Sequence, residues 1–107
     1  MTQFDLFSMV FLTLDHYWDE HKGEELGQFL SSMNPFLLEG EGSAVPNVFA
    51  DFCKNVGGRE ITIDNSYQIA CEYVDCIGIE SVKEAFSWID DATWMKKCRK
   101  YLETEYD

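Results

Sequence analysis

The feature that most constrains this chain is a run of large apolar side chains in residues 4–18. These side chains recur at alternating steps of three and four residues: Phe4, Phe7, Phe11, Leu14 and Trp18. This spacing places all five on one side of an α-helix. Three further residues widen the apolar stripe: Leu6, Val10 and Tyr17. We therefore expect this segment to be the central helix of a small all-α domain, covered on more than one flank.

The residues that start and stop helices predict two more helices in the first half of the chain. Residues 24–33 have helical periodicity and are followed by Asn34-Pro35, which disfavours continuation of a helix. Pro46 suits the first turn of a third helix, and Ser43 is a possible cap. Between them lie an apolar segment, residues 36–38, and an acidic, glycine-containing loop, residues 39–43.

The second half predicts up to three helices in the same way. Asp64 or Asn65 is the expected cap of the fourth helix, and Gly78 is expected in the left-handed conformation after its end. Residues 81–84 read Ser-Val-Lys-Glu, a capping-box pattern that predicts the start of the fifth helix. The last helix is expected at about residues 92–103. Residues 59–63 form an extended connector whose sequence does not decide between strand and coil.

The composition indicates one folded domain with a strongly acidic surface. The chain has 107 residues, of which 46% are hydrophobic. We therefore predict that residues 1–107 form a single helical domain of five to six helices. Twenty acidic residues against eight basic ones give a net charge of −12. Such a surface repels nucleic acids and anionic membranes and attracts basic proteins. Solubility alone is the simpler explanation of this charge.

The negative charge is concentrated in the first half of the chain. Residues 1–53 hold nine acids and a single base, Lys22, whereas four of the eight basic residues lie within residues 96–100. The acidic first half is therefore the better candidate for recognition of a basic partner. The candidate partner-binding residues are Asp15, Asp19, Glu20, Glu24, Glu25, Glu39, Glu41 and Asp51.

No motif in the sequence predicts catalysis, a metal or a cofactor. The two histidines, His16 and His21, are five residues apart, so they do not share one helix face as the zincin spacing requires. The four cysteines form no CxxC pair, and we expect reduced thiols that act as small apolar core residues in a cytoplasmic protein. Of the three tryptophans, one could be exposed to anchor an interface, but the sequence does not show which.

Three stretches give the chain a resemblance to a known group of proteins. They are residues 11–18 (Phe-Leu-Thr-Leu-Asp-His-Tyr-Trp), residues 43–52 with Pro46, and the run of residues 64–88 that contains Gly78. In these the chain resembles the immunity proteins of contact-dependent inhibition and other polymorphic toxin systems in bacteria. That resemblance implies inhibition of one cognate toxin, commonly a basic nuclease, without any chemistry of its own. The main alternative is a regulatory or scaffold subunit, which could be a homodimer, with no charge-driven partner.

Overall fold

The computed structural model describes residues 1–35 and 42–105, with side chains described up to Glu103. Six helices follow one another in this part of the chain: α1 (Gln3–Glu20), α2 (Glu24–Met33), α3 (Pro46–Val56), α4 (Ile63–Ile77), α5 (Glu80–Phe86) and α6 (Asp91–Glu105). The predicted all-α fold is confirmed. The radius of gyration, 12.9 Å, is close to the ~13 Å expected of a folded unit of about 100 residues.

Helix α1 is the central element, as its apolar pattern predicts. It packs against α2, α3, α4 and α5. Leu6, Phe7, Val10 and Leu14 have no exposed surface, which is consistent with an apolar stripe wide enough to be covered on several sides. A capping box formed by Thr2 with Asp5 fixes the first turn of α1.

Helix α2 has the predicted bounds, and a short hydrogen-bonded link joins it to α3. The Val45 amide donates to the Ser32 carbonyl (2.9 Å), and the Ser43 hydroxyl accepts from the Phe49 amide (3.0 Å). Ser43 thus satisfies an amide of the first turn of α3, as expected, although Val45 occupies the N-cap position itself. Residues 36–41, which include the predicted apolar segment and most of the acidic loop, lie outside the described residues.

The connector between α3 and α4 is coil, and Arg59 joins the two helices across it. No strand is present in residues 1–35 or 42–105. The Arg59 guanidinium donates to the carbonyls of Asn55 and Val56 at the end of α3 (both 2.9 Å) and pairs with Glu72 of α4 at 3.1 Å. Arg59 therefore satisfies two terminal carbonyls and places a cation where the helix dipole favours one.

Two predicted caps were wrong. Helix α4 is capped by Thr62, not by Asp64 or Asn65. The Thr62 hydroxyl accepts from the Asn65 amide, and the Asn65 side chain accepts from the Thr62 amide. Helix α5 begins one residue before the predicted cap Ser81, after an N-cap Ile79 that makes no side-chain hydrogen bond. Gly78 does adopt the predicted left-handed conformation, with a φ of 72°.

The seam between α4 and α6 buries a polar network that joins Trp94 to Ser66. Trp94 has no exposed surface, and its indole N–H donates to the Ser66 hydroxyl at 2.8 Å. That hydroxyl in turn donates to the Ile63 carbonyl at 2.8 Å. The four cysteines are free thiols, and Cys98 is buried as expected. The expectation of a core position was wrong for Cys76, which is exposed in the last turn of α4.

Candidate functional site

A groove between α1 and α2 brings two of the predicted partner-binding residues, Asp15 and Glu24, together. Its volume is about 390 Å³. Phe11 and Trp18 of α1 and Leu30 of α2 supply its apolar walls, and the carboxylates of Asp15 and Glu24 lie on the same lining. The turn over residues 21–23 brings Asp15 and Glu24, which belong to different helices, to the same cavity.

Trp18 forms one wall of this groove because α2 has a glycine where the two helices approach. A Cβ atom on Gly27 would lie 3.0 Å from the Trp18 indole nitrogen, which is closer than real Cβ contacts normally come. The indole N–H donates to the Gly23 carbonyl at 3.0 Å. The Lys22 ammonium lies 5.1 Å from the centroid of the Trp18 ring. One cation–π contact with this ring is therefore already formed within the chain.

Within α1, the carboxylate of Asp19 repels the groove carboxylate of Asp15. Burial and, to a smaller extent, the Asp19 carboxylate one turn away raise the pKa of Asp15, and His16 partly offsets the shift. No basic side chain of the described residues forms an ion pair with Asp15, Asp19 or Glu24. This arrangement leaves negative charge available to an ammonium or guanidinium group from another molecule.

The last turn of α1 adds to this negative potential. Asp19 and Glu20 are exposed at the C-terminal end of an 18-residue helix, and that turn contains no basic residue. The helix dipole places partial negative charge at this end, where basic side chains are the favourable ones. The end of α1 is therefore electrostatically unfavourable for the isolated protein and favourable for a bound cation.

The remaining predicted residues do not share the groove. Glu25 accepts a hydrogen bond from the Ser81 hydroxyl at 2.7 Å and so joins α2 to α5. Asp51 lines a different cavity of about 420 Å³ together with Tyr73, whose pKa is raised mainly by burial and also by Asp51. Glu39 and Glu41 lie outside the described residues. The described acidic candidates therefore do not form one continuous patch.

An exposed aromatic cluster lies on the other side of α1. Trp88 is 59% exposed, which identifies the exposed tryptophan that the sequence left open. Its ring centroid lies 5.1 Å from that of Tyr17 and 4.6 Å from that of His21, and the Tyr17 and His21 rings stack at 4.6 Å. Exposed Trp and Tyr are the residues that most often anchor protein interfaces. The helical spacing of Tyr17 and His21 predicts their contact, but the sequence has no signal that brings Trp88 to them.

No group of three or more metal-ligating side chains occurs in the part of the chain that the structure describes. Burial raises the pKa of the Cys98 thiol to about 11. What the α1–α2 groove offers chemically is a set of carboxylates beside an aromatic wall. Such a set can bind cations by charge and by cation–π contact.

Comparisons with known proteins add no family assignment. The sequence matches no protein-family model, and no curated protein or solved structure resembles it significantly. None of the described helices is long and apolar enough to cross a lipid bilayer. The resemblance to toxin immunity proteins therefore stays a prediction from the sequence.

Proposed function

We propose that this protein is a non-catalytic binding protein that neutralises a basic protein partner, and that the partner is a cognate toxin domain such as a nuclease. The observation that supports this most is the acidic end of α1, where Asp19 and Glu20 oppose the helix dipole beside the Asp15–Glu24 groove. A nuclease binds phosphates through Lys and Arg side chains, so a carboxylate surface can occupy the same cleft.

The acidic end of α1 and the exposed aromatic cluster of Trp88, Tyr17 and His21 have complementary roles in this proposal. The carboxylates attract the partner at long range and raise the association rate, since steering by charge acts before contact. Trp88, with Tyr17 and His21, supplies apolar contact area that is buried on binding and slows dissociation. Charge substitutions should therefore change the association rate, and substitution of Trp88 should change mainly the dissociation rate.

The first experiment identifies the partner. A gene next to this one that encodes a secreted protein with a toxic C-terminal domain supplies the candidate, and that domain is expressed with and without this chain. We expect toxicity to be relieved and a complex to form whose association slows as salt is raised. Light scattering of the chain alone tests the alternative of a homodimeric scaffold. A stable dimer without affinity for the toxic domain would overturn the proposal.

The second experiment tests the acidic surface with a matched pair of variants. Asp19→Lys/Glu20→Lys/Glu24→Lys reverses three exposed carboxylates near the groove and leaves the Glu25–Ser81 hydrogen bond in place. Glu60→Lys/Asp75→Lys/Glu103→Lys reverses three exposed carboxylates elsewhere and changes the net charge equally. We expect the first variant to lower the association rate at low salt at least tenfold more than the second. Equal rates for the two variants would remove the end of α1 from the proposed interface.

A further inference from the structure

A second groove lies between α1 and α6. Helix α6 is not among the helices that pack extensively against α1. The groove has a volume of about 280 Å³, and Met9, Leu12 and Tyr101 supply its apolar lining. Leu12 is 39% exposed, although leucine in a central helix is normally buried. This apolar surface is therefore available to another molecule.

The polar groups of this groove differ in sign from those of the α1–α2 groove. Lys97 and Lys100 line it, and α6 as a whole holds half of the basic residues of the chain. Lys97 makes no ion pair with a described carboxylate, although the chain has twenty acidic residues. A charged ammonium beside exposed apolar surface favours a ligand that combines an anionic head with an apolar body.

Thr13 and Lys97 mark the position of the anionic head. Both residues also line a neighbouring cavity of about 190 Å³, so they form the boundary between the two cavities. Thr13 is 7% exposed, and its hydroxyl is buried without a hydrogen-bond partner among the described residues. A buried hydroxyl without a partner is unfavourable, because it has lost its hydrogen bonds to water and gained none in the protein. After rotation about χ1, which threonine in a helix tolerates, this hydroxyl can donate to an acceptor beside Lys97.

We propose that the α1–α6 groove binds a medium-chain aliphatic carboxylate. The hydrocarbon chain lies along Met9, Leu12 and Tyr101, and the carboxylate lies between Lys97 and Thr13. A cationic amphiphile would meet two lysines at this position, and a neutral alcohol would leave Lys97 without a counter-charge. The two adjoining cavities together reach the lower end of the usual range of about 300–1,000 Å³ for small-ligand sites. The lining of the α1–α6 groove shares no residue with that of the α1–α2 groove, whereas the adjoining cavity is also lined by Tyr17 and Trp88 of the proposed partner interface.

The experiment is an NMR titration of the ¹⁵N-labelled full chain with sodium octanoate, below its micelle-forming concentration, and separately with octan-1-ol. The two probes have the same chain length and differ in the charge of the head group. We expect saturable shifts of the amides of Leu12, Thr13 and Lys97 with octanoate, and an affinity at least tenfold higher than that of octan-1-ol.

Lys97→Met keeps most of the aliphatic stem and removes the charge, so it should lower octanoate affinity to about the level of octan-1-ol. Lys54→Met, at an exposed position of α3, is the matched control and should leave both affinities unchanged. Lys97→Gln gives a second test if the methionine variant does not fold. Shifts that do not saturate, equal affinity for the two probes, or unchanged octanoate affinity in the folded Lys97 variants would each overturn the proposal.

Discussion

Neutralising the last turn of α1 should stabilise the free protein and weaken its binding to a basic partner. The variant is Asp19→Asn/Glu20→Gln, which keeps the size of both exposed side chains and removes two charges from the negative end of the α1 dipole. Each unfavourable charge–dipole contact is worth about 0.3–1 kcal/mol at low ionic strength. Loss of the Asp15–Asp19 repulsion adds about 0.2–0.5 kcal/mol, since like charges four residues apart repel on a helix.

These contributions predict a gain of about 1–2 kcal/mol in the free energy of unfolding. For a domain of this size such a gain raises Tm by about 4–8 °C. Thermal unfolding followed by circular dichroism at low salt measures the shift directly. At 1 M salt the Debye length is about 3 Å, so most of the gain should disappear.

A matched variant separates the position of the charges from their number. Asp64→Asn/Asp91→Asn also removes two exposed carboxylates, but from the first turns of α4 and α6, where the dipole favours negative charge. This variant should lower the free energy of unfolding. If both double variants raised Tm by the same amount, only the net charge of −12 would matter, and the reasoning about the end of α1 would be refuted.

Three further predictions follow from the described contacts. Because the raised pKa of Asp15 means that its carboxylate is less favourable in the folded state, its contribution to stability should decrease as pH rises through that pKa. Asp15→Asn removes this decrease, so the free energy of unfolding of the variant, measured by urea unfolding, should rise relative to that of the parent as pH increases through the pKa of Asp15. Arg59→Gln removes the ion pair with Glu72 and the hydrogen bonds to the last carbonyls of α3, so we expect the free energy of unfolding to fall by about 1–2 kcal/mol in the same assay. A fall of less than about 0.5 kcal/mol would contradict the role of Arg59 in joining α3 to α4. Under native conditions at pH 8, iodoacetamide should label Cys76 well before Cys98, because burial raises the pKa of Cys98 to about 11. Mass spectrometry of peptides produced by cleavage after acidic residues follows the two thiols separately.

Apolar periodicity and helix-breaking residues were sufficient to predict the helices. The α2 bounds and the left-handed Gly78 depend on local interactions, which the sequence contains in full. Caps were less predictable because neighbouring polar residues compete for the same backbone amides. Asn65 was predicted as the cap of α4, but it is the second member of a capping box in which Thr62 is the N-cap. Ser81 was misread because its hydroxyl bonds to Glu25 on another helix.

The candidate site was predictable only where one helix holds its residues. The four-residue spacing of Asp15 and Asp19 places them on neighbouring turns, and the structure shows their mutual repulsion. The convergence of Glu24 on the same groove depends on the close approach of Trp18 and Gly27, which is a tertiary contact. The contact of Trp88 with Tyr17 likewise depends on the packing of α5 against α1. Neither contact has a signal in local sequence spacing.

The placement of the acidic residues favours a docking surface over solubility alone. A chain that needs charge only for solubility can place it where it also stabilises helices, as this one does with Asp64 and Asp91 in first turns. Asp15 is instead partly buried beside Asp19, and Glu20 lies at the negative end of α1. These positions lower the stability of the free protein, and a bound cation relieves each of them. The end of α1 is therefore where we expect a basic partner to bind.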